Sequence, residues 1–424
     1  MRIAHIPRRF VREAWGGTET VVLELARRQI AGGDEASILT SMALAGSDRE
    51  SIDSVEVRRF PHFYPYWGLS AEDRARMDRK GGNLVSFGLF RELLALPDPG
   101  IFHLHTGKRL GALVRTAARM RGIPYVIQLH GGLVSAPESE RKDLAEASKK
   151  AFEWGKVIGL AFGGRRVVED ADAILCVDRF EAEKLRTLMP GKRVEFTPNG
   201  VDPGRFSAPK EAGIEFRKKR GIPHDARIIL TVGRIDPQKN QALAIEALPR
   251  IRARLPDAVL ALAGPATNPD YLRSLKDQAA TLGLSNAVFF LGQLDYGNGE
   301  LAAAYAAADC FLLPSVHEPF GVVALEAWAA GLPLAASEVG GIPAFVRSGE
   351  NGILFPSGDV EAATNAVLRL LCEPGFAADL ARQGRGDMEA NYTWAAVSAR
   401  VSDIYQEAIA AKQAGQRGSR GGSR

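Results

Sequence analysis

The chain has 424 residues, 46% of them hydrophobic and 25% charged, and a formal net charge of +4. These values suit a globular protein too long for one core, so two domains are expected, and the small charge argues against a dedicated nucleic-acid binder. The three scattered cysteines, Cys176, Cys310 and Cys372, form no disulfide framework and no Cys-x-x-Cys pair. That points to a reducing compartment and, for Cys176 and Cys310 in apolar runs, to plain packing.

The N-terminal "MRIAHIPRRF" is not a signal peptide, because its apolar part is short and two arginines follow at once. No window reaches about 18 uninterrupted apolar residues, so a cytoplasmic protein without a membrane span is expected. "RIAHI" reads as a strand, and "TETVVLELARRQIAGG" as a helix stopped by two glycines. "ASILT" and "VEVRRF" are further strands. "IFHLH" precedes the helix "RLGALVRTAARMRG", then "PYVIQLHGG", "DAILCV" and "RVEFTPNG" follow, with the helix "RFEAEKLRTLM" between the last two. Strands alternating with helices imply a parallel sheet covered on both faces.

The pattern restarts after "PNGVDPGRFSAP". "ARIILTVGR", "AVLALAGP", "AVFFLG", "DCFLLPS", "LPLAAS" and "GILFP" are strands separated by helical text. The expected division is therefore an N-terminal doubly wound α/β domain over 1–205 and a C-terminal one over 206–392. A helix over 393–411 carries Trp394, Val397, Val401 and Ile404 at helical spacing. The Gly/Ser/Arg-rich tail, 412–424, is expected to be disordered. Open parallel sheets bind ligands at the carboxyl ends of their strands, so the chemistry should sit there.

"TVGRIDPQKN" places Gly233, Arg234 and Lys239 just past a buried strand and before a helix starting near Asn240. Two cations facing a helix N-terminus suit a diphosphate, with Arg binding bidentately and Lys as a point charge. The plain alternative is two solvated surface cations. "HEPFGVVALEAWAAGLPLAAS", His317 to Ser337, supplies a second cluster. Gly321 lets backbone approach a ligand, and the helix starting near Val322 points free N–H groups outward. Glu326 lies inside that mostly apolar helix and needs a partner, for which ribose hydroxyls serve well. Glu318 precedes the glycine and can reach sugar hydroxyls. The plain alternative is that Glu318 caps a helix and Glu326 pairs with a surface lysine.

This stretch resembles the Glu–seven residues–Glu signature of retaining glycosyltransferases of the GT-B fold, family 4. "VGRIDPQKN", "PNGVD" at 198–202, "QLHGG" at 128–132, "GGTET" at 16–20 and "EVGGIPAFVRSGENGILFP" resemble further motifs of that family, in the same order. Asn240 departs from the usual Gly, a change expected to matter little because the helix begins there. The resemblance implies two Rossmann-like domains facing across a cleft and transfer of a hexose-type sugar from a UDP- or GDP-sugar, with retention and without a metal or other cofactor. The acceptor would be a glycan, a lipid-linked group or a small molecule, as in polysaccharide biosynthesis. Arg234 and Lys239 would neutralise the diphosphate. Glu326 would hold the ribose and Glu318 the transferred sugar. Gly233, Phe320, Gly321, Val322 and Val323 would complete the donor site, His130 would sit near the reacting sugar, and Gly17 beside the diphosphate. A same-fold sugar-nucleotide epimerase or hydrolase, or a non-catalytic sugar-binding protein, are the alternatives.

Other stretches carry weaker signals. "HTGKRLG" at 105–111 lacks phosphate-loop spacing. His103 and His105 share one face of a strand, but a third metal ligand is missing, so packing or cleft lining is expected; His5 is read as structural. "RRFPHFYPYWG" at 58–68 holds five aromatics and is read as a packed loop, or else as an acceptor site or a membrane-facing loop. Residues 101–150 carry nine Lys/Arg against four Asp/Glu, which would suit peripheral contact with an anionic membrane surface.

Overall fold

The computed structural model describes residues 1–130, 152–295 and 297–421. Gly131 and Gly132 of the His-Gly motif, and the basic residues at 141–150, lie outside them. The chain forms two compact units. One is Met1–Pro198 with the chain from Val397 onward, and the other is Asn199–Ala396.

In chain order the strands of the first unit are β1 (Arg2–Ile6), β2 (Glu35–Ser41), β3 (Arg49–Ile52), β4 (Val55–Phe60), β5 (Tyr66–Trp67), β6 (Ile101–Leu104), β7 (Tyr125–Leu129), β8 (Phe152–Glu153), β9 (Ala173–Cys176) and β10 (Val194–Phe196). Eight of them make one sheet in the order β10-β9-β7-β6-β1-β2-β4-β3. All its pairings are parallel except β3 with β4. β6, β7 and β9 are buried throughout, as near-continuous apolar runs covered on both faces must be. The chain builds outward from β1 in one direction and then crosses back to β6. The topological switch point therefore lies between β1 and β6.

The second unit adds β11 (Arg227–Val232), β12 (Ala258–Ala263), β13 (Val288–Gly292), β14 (Cys310–Leu313), β15 (Leu334–Ser337) and β16 (Ile353–Phe355). They form a parallel sheet in the order β13-β12-β11-β14-β15-β16, with its switch point between β11 and β14. Helices Gln241–Arg252 and Val360–Cys372 pack on one core of this sheet through Leu243, Leu248, Val367 and Leu371. Each unit is thus a doubly wound α/β layer structure.

Three details differ from the sequence reading. The changeover falls at Pro198/Asn199, not after residue 205, because Val201 donates to Tyr392 O at 2.8 Å and bridges to Thr393, which ties this strand end to the second unit. The final helix runs Trp394–Gly421, through most of the tail expected to be disordered. Extending an existing helix is cheap even with poor formers, and Lys412 anchors it to Asp172 at 3.1 Å while Gln416 donates to Gly122 O at 2.8 Å. Val397, Val401 and Ile404 are buried along it. Finally, the packed-loop reading of 58–68 holds only in part. Arg58 to Phe60 belong to β4, and Tyr66 and Trp67 form β5, paired with β8.

Candidate active site

In the second unit the cationic and acidic motifs meet at the switch point. Gly233 follows β11, with its N–H bonded to Ala263 O at 2.9 Å. Arg234 comes next and is exposed; among the described residues its guanidinium makes no hydrogen bond or ion pair. Pro237–Lys239 form a single helical turn capped by the Asp236 carboxylate, which accepts from Gln238 N–H at 3.0 Å. Asn240 then adopts φ 50° and ψ 45° before the helix Gln241–Arg252. The departure from Gly therefore matters more than expected: the position is left-handed, and Asn is one of the few side chains that tolerate it.

On the neighbouring strand, the loop after β14 carries Ser315 and Glu318. The Glu318 carboxylate is buried and accepts from the Lys239 ammonium and from Ser315 Oγ, the latter at 3.3 Å. Val316 N–H donates to Gln238 O at 2.9 Å, which locks the two loops together. Gly321, at φ 91°, caps the helix Val322–Ala329, and a Cβ there would sit 2.4 Å from Ile342 Cδ1. The left-handed backbone is what favours Gly there. Val322 and Val323 open that helix, so their N–H groups are among its unpaired donors. Glu318 is not the cap. Phe320 is buried with its ring stacked on Phe345 at 5.2 Å.

Glu326 is buried one turn further on. Its Oε2 accepts from the hydroxyl of Tyr305, on the helix Glu300–Ala307, at 2.8 Å. Arg234, Lys239, Glu318, Gly321 and Glu326 thus cluster around the ends of β11 and β14.

In the first unit Gly17 opens the helix Gly17–Ala31 at the end of the loop after β1. It lines a cavity of about 430 Å³ whose walls include Arg8, Arg9, Arg79 and Lys108. His130 follows β7 and is largely buried. Its Nε2 lies 3.1 Å from Nδ1 of His105, whose Nε2 lies 3.1 Å from Nδ1 of His5. Burial pulls His5 and His130 down to about 4, and His103 and His105 well below their ordinary range, so all four imidazoles are neutral at neutral pH.

The third imidazole that the sequence reading did not place beside His103 and His105 is His5, read there as structural. β1 and β6 pair with His5 opposite His103, and the ring nitrogens of His5, His103 and His105 lie within 4.8 Å of one another. Both nitrogens of His5 and both of His105 already have partners. Only His103 Nε2 is uncommitted, so three free lone pairs for a metal are lacking.

The descriptions "Glycosyl transferases group 1" and "Glycosyl transferase 4-like domain" match residues 214–387 and 16–200. The D-inositol 3-phosphate glycosyltransferase of Thermobispora bispora is 33% identical over 414 residues, 93% of this chain and 90% of that one. The chain belongs to glycosyltransferase family 4. A second relative of this glycosyltransferase is the GDP-mannose-dependent α-(1-6)-phosphatidylinositol monomannoside mannosyltransferase of Mycolicibacterium smegmatis. It is 33% identical over 258 residues, 59% of this chain and 66% of that one. Among solved structures, Alr3699/HepE of Anabaena in complex with UDP-glucose superposes with a TM-score of 0.67 at 18% identity, covering 96% of this chain and all of that one, which shows the GT-B fold.

Sequence reasoning missed Tyr305, Ser315 and Gly340 in this glycosyltransferase. A Cβ on Gly340, at φ 52°, would sit 2.0 Å from Glu318 O, so that loop and the Glu318 loop can touch only through glycine. The adjacent Gly341 N–H donates to Glu318 O at 2.9 Å. The Gly-Gly pair was legible in the sequence, but its contact was not. Among the described residues no helix is long and apolar enough to cross a membrane.

Proposed function

We propose that this glycosyltransferase transfers a hexose from a UDP- or GDP-sugar with retention of anomeric configuration and without a metal. The observation that carries this reading is the pairing of Lys239 with Glu318 at the switch point, beside Arg234 and the N-terminus of Val322–Ala329. As the glycosidic bond breaks, the leaving diphosphate gains charge. Fixed cations and helix N–H groups aimed at it lower the barrier and do the work a divalent cation does elsewhere. Glu318 then takes the transferred sugar's hydroxyls and Glu326 the ribose, with Tyr305 holding one Glu326 carboxylate oxygen in place. Gly17 and His130 serve the diphosphate and the sugar, respectively. The relatives that use GDP-mannose or bind UDP-glucose support a nucleotide-sugar donor.

The acceptor binds the first unit. The cavity lined by Arg8, Arg9, Arg79 and Lys108 suits an acceptor with an anionic group, in line with relatives named for D-inositol 3-phosphate. Trp67, Val157 and Leu160 are 67%, 73% and 78% exposed on the same unit and would serve a lipid-linked acceptor at a membrane surface. A cytoplasmic enzyme of polysaccharide biosynthesis fits these features.

The test incubates the full chain with UDP-glucose and with GDP-mannose in EDTA, with and without phosphorylated acceptors, and follows products by NMR. Glycoside formed with the donor's α configuration is expected. Loss of turnover on chelation, restored by manganese, would overturn the metal-free reading, and an inverted product the retaining one. Donor consumed without transfer would favour an epimerase or hydrolase, and tight binding with no turnover a sugar-binding protein.

A further inference from the structure

A line of side chains runs from the interior of the first unit to His130. Gln29 Oε1 lies 2.7 Å from His5 Nε2, His5 Nδ1 lies 3.1 Å from His105 Nε2, and His105 Nδ1 lies 3.1 Å from His130 Nε2. Gln29, His5 and His105 are buried. A neutral imidazole has one donor and one acceptor nitrogen, so each link dictates the next.

The direction follows from Gln29. Its Nε2 faces the Tyr405 hydroxyl at 3.5 Å, which leaves the carboxamide oxygen to accept from His5 Nε2–H. His5 Nδ1 is then a lone pair and accepts from His105 Nε2–H. His105 Nδ1 accepts in turn from His130 Nε2–H. The remaining nitrogen, Nδ1 of His130, has no partner among the described residues and is a lone pair. Tyr405 belongs to the C-terminal helix, where its hydroxyl also pairs with His103 Nδ1.

We infer that Gln29, acting through His5 and His105, sets the tautomer of His130 so that its Nδ1 accepts a hydrogen bond from a hydroxyl of the transferred sugar. The consequence rests on the reading of His130 as a sugar contact, whereas the tautomer assignment does not. A lone pair there favours a hydroxyl donor, and the opposite tautomer would present N–H to that hydroxyl. Gln29, His5 and His105 are on this view positioning residues, remote from the reacting atoms. Neutrality of all four rings, enforced by burial, keeps the chain in one protonation pattern.

The test is long-range ¹H–¹⁵N NMR on the full chain labelled at histidine, with His130→Gln used to assign the His130 signals. Wild type should show a pyridine-type Nδ1 and a pyrrole-type Nε2. Gln29→Met removes the directing oxygen at similar volume and should mix the two tautomers. Gln29→Glu keeps an acceptor and should restore the wild-type pattern. With donor saturating, Gln29→Met should lower kcat about tenfold, the lower end of what lost orienting partners cost elsewhere, with KM for donor little changed. A pyrrole-type Nδ1 in wild type, or an unchanged tautomer ratio in a folded Gln29→Met protein, would overturn the inference. Mixed tautomers with unchanged kcat would uphold the tautomer assignment and overturn the hydrogen bond from His130 Nδ1 to the sugar.

Discussion

The Lys239 ammonium donates to Glu318 Oε2 across 79 residues of sequence, and both side chains are largely sheltered from water. The pair holds two groups of opposite charge at the ends of adjacent strands before any ligand arrives. On the proposed reading, a sugar diphosphate would draw the ammonium towards phosphate and leave the carboxylate to hydroxyls.

Lys239→Ala should lower kcat by about 10²–10³, by analogy with loss of one oxyanion donor. It should also destabilise the fold by about 1–3 kcal/mol, because Glu318 stays buried without its charged partner. Adding Glu318→Ala should recover part of that loss, a non-additivity read from urea midpoints of the two single variants and the double. Additive losses would mean the two side chains do not interact in solution.

Glu326→Ala should raise KM for the donor about ten- to a hundredfold and change kcat less, since ribose contacts are the same in ground and transition states. Tyr305→Phe, which removes the hydroxyl bonded to Glu326 Oε2, should produce a smaller change in the same direction. Steady-state kinetics on both variants checks this. A large fall in kcat for Glu326→Ala at saturating donor would place that carboxylate at the reacting centre instead.

Gly340→Ala should be costly in stability and activity together. The new methyl meets Glu318 O at 2.0 Å in a left-handed backbone, which displaces the loop that carries the carboxylate. The strain alone is worth about 1–3 kcal/mol. Gly46→Ala, where a Cβ meets nothing within 4 Å, is the matched control and should leave melting temperature and turnover near wild type. Equal melting temperatures for the two variants would contradict the contact.

Stability should fall on acidification through the range below pH 6.5. His5 and His130 are held by burial at about 4 against an ordinary 6.5, so in that window the unfolded chain binds protons that the folded chain refuses. The contribution is complete above about 6.5 and is lost as pH drops towards 4. Urea midpoints measured from pH 7.5 to 5.5 should decline, and His5→Asn should flatten the slope by removing one buried imidazole. A slope unchanged by that substitution would show that the histidines do not carry it.

The chain by itself determined the architecture. Apolar runs of strand length alternate with helix-period segments along the chain, and that order admits little besides two parallel, doubly wound sheets. The residues proposed for the donor side could be grouped from the sequence for the same reason. Arg234, Lys239, Glu318, Gly321 and Glu326 sit in local motifs at strand ends, where the sheet's polarity puts ligands. What the tertiary structure decided is which distant groups touch. Tyr305 reaches Glu326 from another helix, and Gly340 packs on the Glu318 carbonyl from another loop. His5 joins His103 and His105 only because β1 and β6 pair in one register. No periodicity records such contacts, because they are set by side-chain packing across elements and not by the backbone preferences of any one segment. The helical tail to Gly421 belongs here too: its composition favours disorder, and the anchoring of Lys412 on Asp172 opposes it.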